Sequence, residues 1–367
     1  MRTIDRSRRG RDGAGRPGLL GRIGAFAAGI LALSLVAACS SGDAGNEQST
    51  VGVGISGAVS DAPFYLADQL GYFAQENVKV ELSNFASASD MIAPLGTGDL
   101  QVGASGATAA LYNAIERGVK VRIVADKGRI QDTASYMGVL VAKPVYDSGQ
   151  VTSLADLRGR LVADYAESSS TSAYLNAGLS GAGLSLADVN RTYLTGSQHM
   201  AALENGSVAA SVTVEPFVTA AVNSGAAVRL PESDRMYPEQ QTSVVLYGER
   251  FATEEPEVAD RFMRAYLRGV RAFNDAIGPD GKLSGPTAPQ VIDVLAERTQ
   301  TPKETLQAIV VNGVDPSGAP NEESLQKDLD FFRQGGWLTD AGMSLQDSLD
   351  LSFVQRAAQG LGPYTKS

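Results

Sequence analysis

Short runs of β-branched and apolar residues alternate with amphipathic stretches along most of this chain, and that alternation predicts an α/β fold. Strands are expected at 51–56, 78–82, 100–104, 119–125, 136–142, 160–164, 191–194, 209–214, 227–230 and 242–247. Between them, helical spacing marks 63–73, 107–117, 172–178 and 200–205. After Tyr247 the pattern is wholly helical, with helices expected at 255–276, 289–298, 302–311, 322–334 and 344–360. Pro256 falls in the first turn of the longest, where a missing N–H costs nothing.

One stretch of the pattern occurs twice. Leu95-Gly96-Thr97-Gly98-Asp99-Leu100-Gln101-Val102-Gly103 is echoed 108 residues later by Leu203-Glu204-Asn205-Gly206-Ser207-Val208-Ala209-Ala210-Ser211. Each copy reads as a helix ended by a left-handed glycine, followed by the alternation that starts a strand. The repeat implies two lobes of similar construction. Residues 51–140 with 243–367 are expected to form the first lobe, and residues 141–242 the second. The helical tail is expected to pack mainly on the first. Two chain crossings between lobes would make a hinge, and closure over a ligand would be its motion.

The N-terminus breaks the α/β pattern. Sixteen uncharged, mostly apolar residues, 23–38, follow a segment with seven arginines, and small residues lead into Cys39, the only cysteine of 367 residues. A positive segment, an apolar segment and a small-residue cut site make an export signal. The apolar run is short for a membrane span, which needs about 20 residues. A cysteine right after the small residues resembles a bacterial lipobox, so residues 1–38 are expected to be a lipoprotein signal peptide and Cys39 the lipidated N-terminus. Arg8-Arg9 leaves both twin-arginine and general secretory export open. Residues 39–50, polar and aperiodic, are expected to be a flexible tether.

Removing 1–38 takes seven arginines and two aspartates, leaving 24 basic and 39 acidic residues and a net charge of −15. Binding to nucleic acid through a basic surface is disfavoured. With Cys39 committed to lipid, neither a disulfide nor a thiolate metal site can form.

Candidate binding residues follow from where ligands sit in open α/β sheets, at the carboxyl ends of strands facing helix N-termini. Here those junctions are rich in small and hydroxyl residues: Gly57 and Asp61, Ser87, Ser105, Gly106 and Thr108, the run Ser168, Ser169, Ser170 and Thr171, then 196–198, and Glu215. The same residue types also cap helices when no ligand is present. None of these junctions contains Lys or Arg, so an anion would rely on backbone and hydroxyl donors or on Lys127 and Arg129. Asp61, Glu167 and Glu215 could equally meet a cationic or amine-bearing ligand. Phe64, Tyr65, Tyr136, Tyr165 and Phe217 lie near strand ends, where a planar molecule could stack.

Gly52-Val53-Gly54-Ile55-Ser56-Gly57 matches the dinucleotide fingerprint in letters only, because a polar segment precedes it and Pro63 delays the helix. No catalytic, cofactor or metal constellation stands out, and His199, the only histidine, is expected at the surface in the first turn of a polar-flanked helix.

Residues 62–73, the 95–103 segment, 153–160, 201–206 and Val214-Glu215-Pro216 together resemble the substrate-binding proteins of bacterial ABC importers, in the SsuA/THI5-like (NMT1-like) group of nitrate, sulfonate, taurine and thiamine-precursor receptors. The resemblance covers about 51–275. It implies a two-lobed type II periplasmic-binding-protein fold and a small molecule held between the lobes. It also implies delivery to an ABC permease and its ATPase by a monomer anchored outside the cell membrane through lipid on Cys39, with no cofactor and no catalysis. An exported enzyme of the same fold, or a ligand-sensing lipoprotein outside transport, are the alternatives.

Overall fold

The strands assemble into two sheets of five. They are β1 (Ser49–Ile55), β2 (Val78–Asn84), β3 (Val102–Gly106), β4 (Val121–Arg129), β5 (Met137–Ala142), β6 (Leu161–Asp164), β7 (Asn190–Tyr193), β8 (Ala210–Val214), β9 (Ala227–Arg229) and β10 (Gln241–Gly248). The computed structural model describes residues 48–339 and 342–366; the expected signal peptide, Cys39 and most of the expected tether lie outside them. The first sheet has the order β2-β1-β3-β10-β4 and the second β7-β6-β8-β5-β9.

The two orders are one plan used twice. β1 is parallel to β2 and β3, and β6 is parallel to β7 and β8. In each sheet the fourth strand runs antiparallel to both neighbours, and in each it is the strand that has just arrived from the other sheet: β10 in the first, β5 in the second. The chain therefore crosses twice, through 130–136 and through 230–240. The repeated glycines serve as expected. Gly98 (φ 86°) ends the helix Ala88–Thr97 ahead of β3, and Gly206 (φ 68°) follows the helix Gly196–Glu204 ahead of β8.

Two boundaries differ from expectation. β1 begins at Ser49, and Ser49 and Thr50 pair with Val78 and Lys79, so the end of the expected tether is strand. β5 pairs only within the second sheet, which places 137–140 there and puts the first crossing earlier than expected. Three short helices were not expected: Lys143–Asp147, Phe217–Asn223 and Glu249–Glu254; the helix Ala88–Thr97 carries Pro94 inside it.

The helix Pro256–Ala276 anchors the tail. It buries Ala259, Phe262, Met263, Tyr266, Val270 and Phe273, a helical stripe, against β1 and the helix Ala62–Gln69. Each such side chain contributes roughly 1.5–3 kcal/mol by leaving water. Leu325, Leu329 and Phe332 of the helix Glu322–Gln334 cover the sheet's other face, with Tyr112, Ile123 and Leu246. Gly54 lies mid-strand in β1, where a Cβ would sit 2.8 Å from a Leu100 methyl and 3.1 Å from the Met91 sulfur. Its lack of a side chain serves packing, not a phosphate. Among the described residues no helix is long and apolar enough to cross a membrane.

Candidate functional site

A cavity of about 640 Å³ opens between the two sheets, lined by residues of both, of the first crossing and of the tail. On the first-lobe side the loop after β1 contributes Gly57, Ala58, Val59 and Ser60. Asp61 shapes that loop. Its Oδ2 accepts from the Ser56 N–H (3.1 Å), the Ser56 hydroxyl (2.8 Å) and the Ala58 N–H (3.0 Å), while its Oδ1 pairs with Lys127 Nζ at 2.9 Å. Lys127 also donates to the Ser60 hydroxyl at 2.8 Å and reaches the cavity wall. Both ions are almost wholly buried, so the charge on this wall is already neutralised from within.

The second lobe is built around another buried acid. Asp164, at the end of β6, accepts from the Tyr165 N–H (2.7 Å) and from the hydroxyls of Thr171 (2.6 Å) and Ser172 (2.5 Å). Those bonds fix the start of the helix Ser170–Gly181, whose Ser170 and Thr171 line the cavity. Burial pushes the Asp164 carboxyl above its ordinary range despite these donors. Tyr165, also on the wall, stacks on His199 with ring centroids 4.5 Å apart and donates to or accepts from the Thr213 hydroxyl at 3.0 Å.

His199 is not at the surface. It is fully buried, with Nε2 3.1 Å from the Leu194 carbonyl and Nδ1 2.6 Å from the Ser211 hydroxyl. A carbonyl can only accept, so Nε2 carries the proton and Nδ1 accepts from Ser211. Burial lowers the pKa and keeps the ring neutral. Its partners come from β8 and from the loop after β7, contacts that the polar flanks do not reveal.

Glu215 stands on the cavity wall after β8, joined to Pro216 by a cis peptide. Its Oε2 accepts from the Thr219 N–H (2.9 Å) and its Oε1 from the Thr219 hydroxyl (2.8 Å). Burial raises its pKa. Among the described residues no cation forms an ion pair with it.

Of the residues singled out from sequence, Gly57, Lys127, Tyr136, Tyr165, Ser170, Thr171, Gly196, Ser197, Glu215 and Phe217 lie together on the wall. The others do not. Asp61 is enclosed behind Lys127. Phe64 is core, 4.6 Å from the Tyr266 ring. Ser87 caps the helix Ala88–Thr97 in a reciprocal box with Asp90. Ser105 donates to the Gly106 carbonyl, and Thr108 accepts from the Leu111 N–H as a helix cap. β10 pairs with that end of β3, Ser243 opposite Gly106, and it is Thr242 and Ser243 that reach the cavity. Ser169 caps the helix Ser170–Gly181, and Ser168 stays off the wall.

Sequence reasoning missed the tail's share: Thr299, Thr301 and the run from Ile309 to Asn312 also line the cavity. A signal was present. Ile309-Val310-Val311 is β-branched, a poor continuation of the expected 302–311 helix, and the helix Lys303–Ala308 indeed stops before it. Among the described residues no cluster of His, Cys, Asp or Glu is placed to hold a metal ion.

Two sheets of this order, with a tail of helices and a cavity between them, define the two-lobed type II periplasmic-binding-protein fold. A family model of NMT1/THI5-like proteins matches residues 59–275, more than half of the chain, and the chain belongs to that family. Among solved structures it resembles the periplasmic aliphatic sulphonate binding protein SsuA from Escherichia coli, with 20% identity, a TM-score of 0.66, and coverage of 82% of this chain and 92% of that one. The periplasmic nitrate-binding protein NrtA from Synechocystis matches at 14% identity and a TM-score of 0.67, covering 86% and 89%. The desulfurization enzyme DSZB shares the fold at 13% identity and a TM-score of 0.59, covering 86% and 100%. No curated protein matches the chain.

Proposed function

We propose that this chain is an extracytoplasmic solute-binding protein that captures a small molecule between its two lobes and hands it to an ABC importer, held at the membrane through lipid on Cys39. The observation that carries this reading is the cavity itself: about 640 Å³, walled by residues of both sheets and of the first crossing, so that closing the lobes would enclose its contents. The chemistry of the wall narrows the ligand. Lys127 is already paired with Asp61, whereas Glu215 makes no ion pair among the described residues. Tyr136, Tyr165 and Phe217 offer ring faces or edges. The first N–H groups of the helices Ser170–Gly181 and Gly196–Glu204 open on the same wall and can serve an acceptor. A molecule with a basic or N–H-rich group for Glu215 and an acceptor elsewhere, such as an aminopyrimidine or an aminosulfonate, fits better than nitrate or a simple alkanesulfonate.

The second reading, an exported enzyme, draws on the fold shared with the desulfurization enzyme. It has less to work with: the cavity wall carries neither cysteine nor histidine. A thermal-shift panel of aminopyrimidines, taurine, alkanesulfonates and nitrate separates the possibilities. Amine-bearing compounds should stabilise the protein, by about 2.7 kcal/mol at a hundredfold excess over Kd, without being consumed. Turnover of the bound compound would move the protein to the enzyme reading, and a flat response across the panel would defeat the ligand class.

A further inference from the structure

Two consecutive glutamines end the second crossing, and each is held by a buried aspartate. Gln241 Nε2 donates to Asp126 Oδ1 (2.6 Å) and to the carbonyls of Gly128 and Ser243, and Gln241 Oε1 accepts from the Asn321 N–H (2.7 Å). Asp126 Oδ2 accepts from the Asp315 N–H (2.8 Å). Every oxygen of that pair has a donor.

The neighbouring pair is different. Gln240 Nε2 donates to Asp328 Oδ2 (3.1 Å) in the tail helix Glu322–Gln334, and to the carbonyl of Ser170 (3.0 Å) on the cavity wall. The bond to a carbonyl fixes which end of the amide is nitrogen. Gln240 Oε1 and Asp328 Oδ1 are then left buried with no donor. Both residues are fully enclosed. Unpaired buried acceptors are expensive, and a buried carboxylate without a cation more so. A proton on the Asp328 carboxyl removes the buried charge and supplies a donor that this pair of groups lacks.

We propose that Asp328 carries a proton in the closed fold and that the Asp328–Gln240 acid–amide pair is a proton-sensitive clamp, tying the second crossing and the Ser170 end of the cavity wall to the tail. Loss of the proton leaves a buried carboxylate, and the relief open to it is loosening of the crossing toward water. The hydrogen bonds from Gln240 and Tyr237 favour the carboxylate, but burial outweighs them and no facing group brings a positive charge. Tyr237 of the crossing hydrogen-bonds toward it, Tyr112 lies in the same buried layer, and neither supplies a positive charge. Lys327, the adjacent cation on the helix, is exposed and paired with Glu323. Burial accordingly raises the Asp328 pKa to about 7. A raised carboxyl pKa means that the folded state holds the proton more tightly than the unfolded chain. The clamp is therefore full at low pH and is lost as pH rises through that value. The readout concerns lobe geometry without ligand, so it stands or falls apart from the choice of solute.

The test is small-angle scattering and backbone amide exchange of the intact, unliganded protein at about pH 5.5 and about pH 8.5, on either side of the raised pKa. In the wild type the radius of gyration should increase at the higher pH, and the amides at 170–173 should exchange about tenfold faster than the intrinsic pH effect allows. Asp328→Asn should stay compact at both pH values. Asp126→Asn should keep the wild-type response. Gln240→Met, which removes the clamp but keeps the bulk, should be loose at both, and it decides the matter should Asp328→Asn not fold. A pH response unchanged in Gln240→Met, or abolished by Asp126→Asn and not by Asp328→Asn, overturns the proposal.

Discussion

Asp61 of the first lobe and Glu215 of the second both stand at strand-to-helix junctions beside the cavity, and the two are held in opposite ways. Asp61 in the first lobe is enclosed, accepts from three donors and is ion-paired with Lys127. Glu215 in the second lobe lies on the wall, is held by Thr219, and makes no ion pair among the described residues. Both are acidic residues at a strand-to-helix junction, and nothing in their immediate sequence tells them apart. What separates them is Lys127, which reaches Asp61 from β4, 66 positions away in the chain. A charge with its partner indoors shapes the loop; a charge without one is, in the proposed function, the group that meets the ligand.

The contrast can be broken by removing one acid at a time. Asp61→Ala should destabilise the fold by about 3–5 kcal/mol, the usual loss when one half of a buried ion pair goes. Urea unfolding measures it, and a loss under about 1 kcal/mol would mean that Lys127 finds another partner. Glu215→Gln should leave stability nearly unchanged yet weaken binding of an amine-bearing ligand about tenfold to a hundredfold, the worth of a charged hydrogen bond. Calorimetric titration reads that change, and unaltered affinity would place the ligand elsewhere on the wall. Ser87→Ala, at a cap remote from the cavity, should lower stability by about 1 kcal/mol and leave ligand affinity untouched. An effect on affinity there would reinstate Ser87 as a binding residue.

All ten strands and the two-lobe plan could be read from the chain, because burial imposes a period on the residues themselves. The glycines at 98 and 206 could be read too, since a helix that ends before a strand writes both into a dozen residues. The site was legible only in part. Ser87, Ser105 and Thr108 have the composition of ligand-facing junctions, but the same hydroxyls satisfy helix ends and turns, and only the position of β10 decides which ones reach the cavity. His199 has polar neighbours in sequence and apolar burial in space, a result of its bonds to Ser211 and Leu194. Ile309 to Asn312 belong to a tail that matched a helical pattern, and their place on the wall depends on how that tail folds back.

The most direct test is scattering on the intact protein with whichever amine-bearing compound gives the largest thermal shift, for the wild type and for Glu215→Gln. The radius of gyration should fall in the wild type and saturate at one ligand per chain, and Glu215→Gln should need at least about ten times more ligand for the same compaction. Binding without compaction, or identical curves for the two proteins, would contradict this.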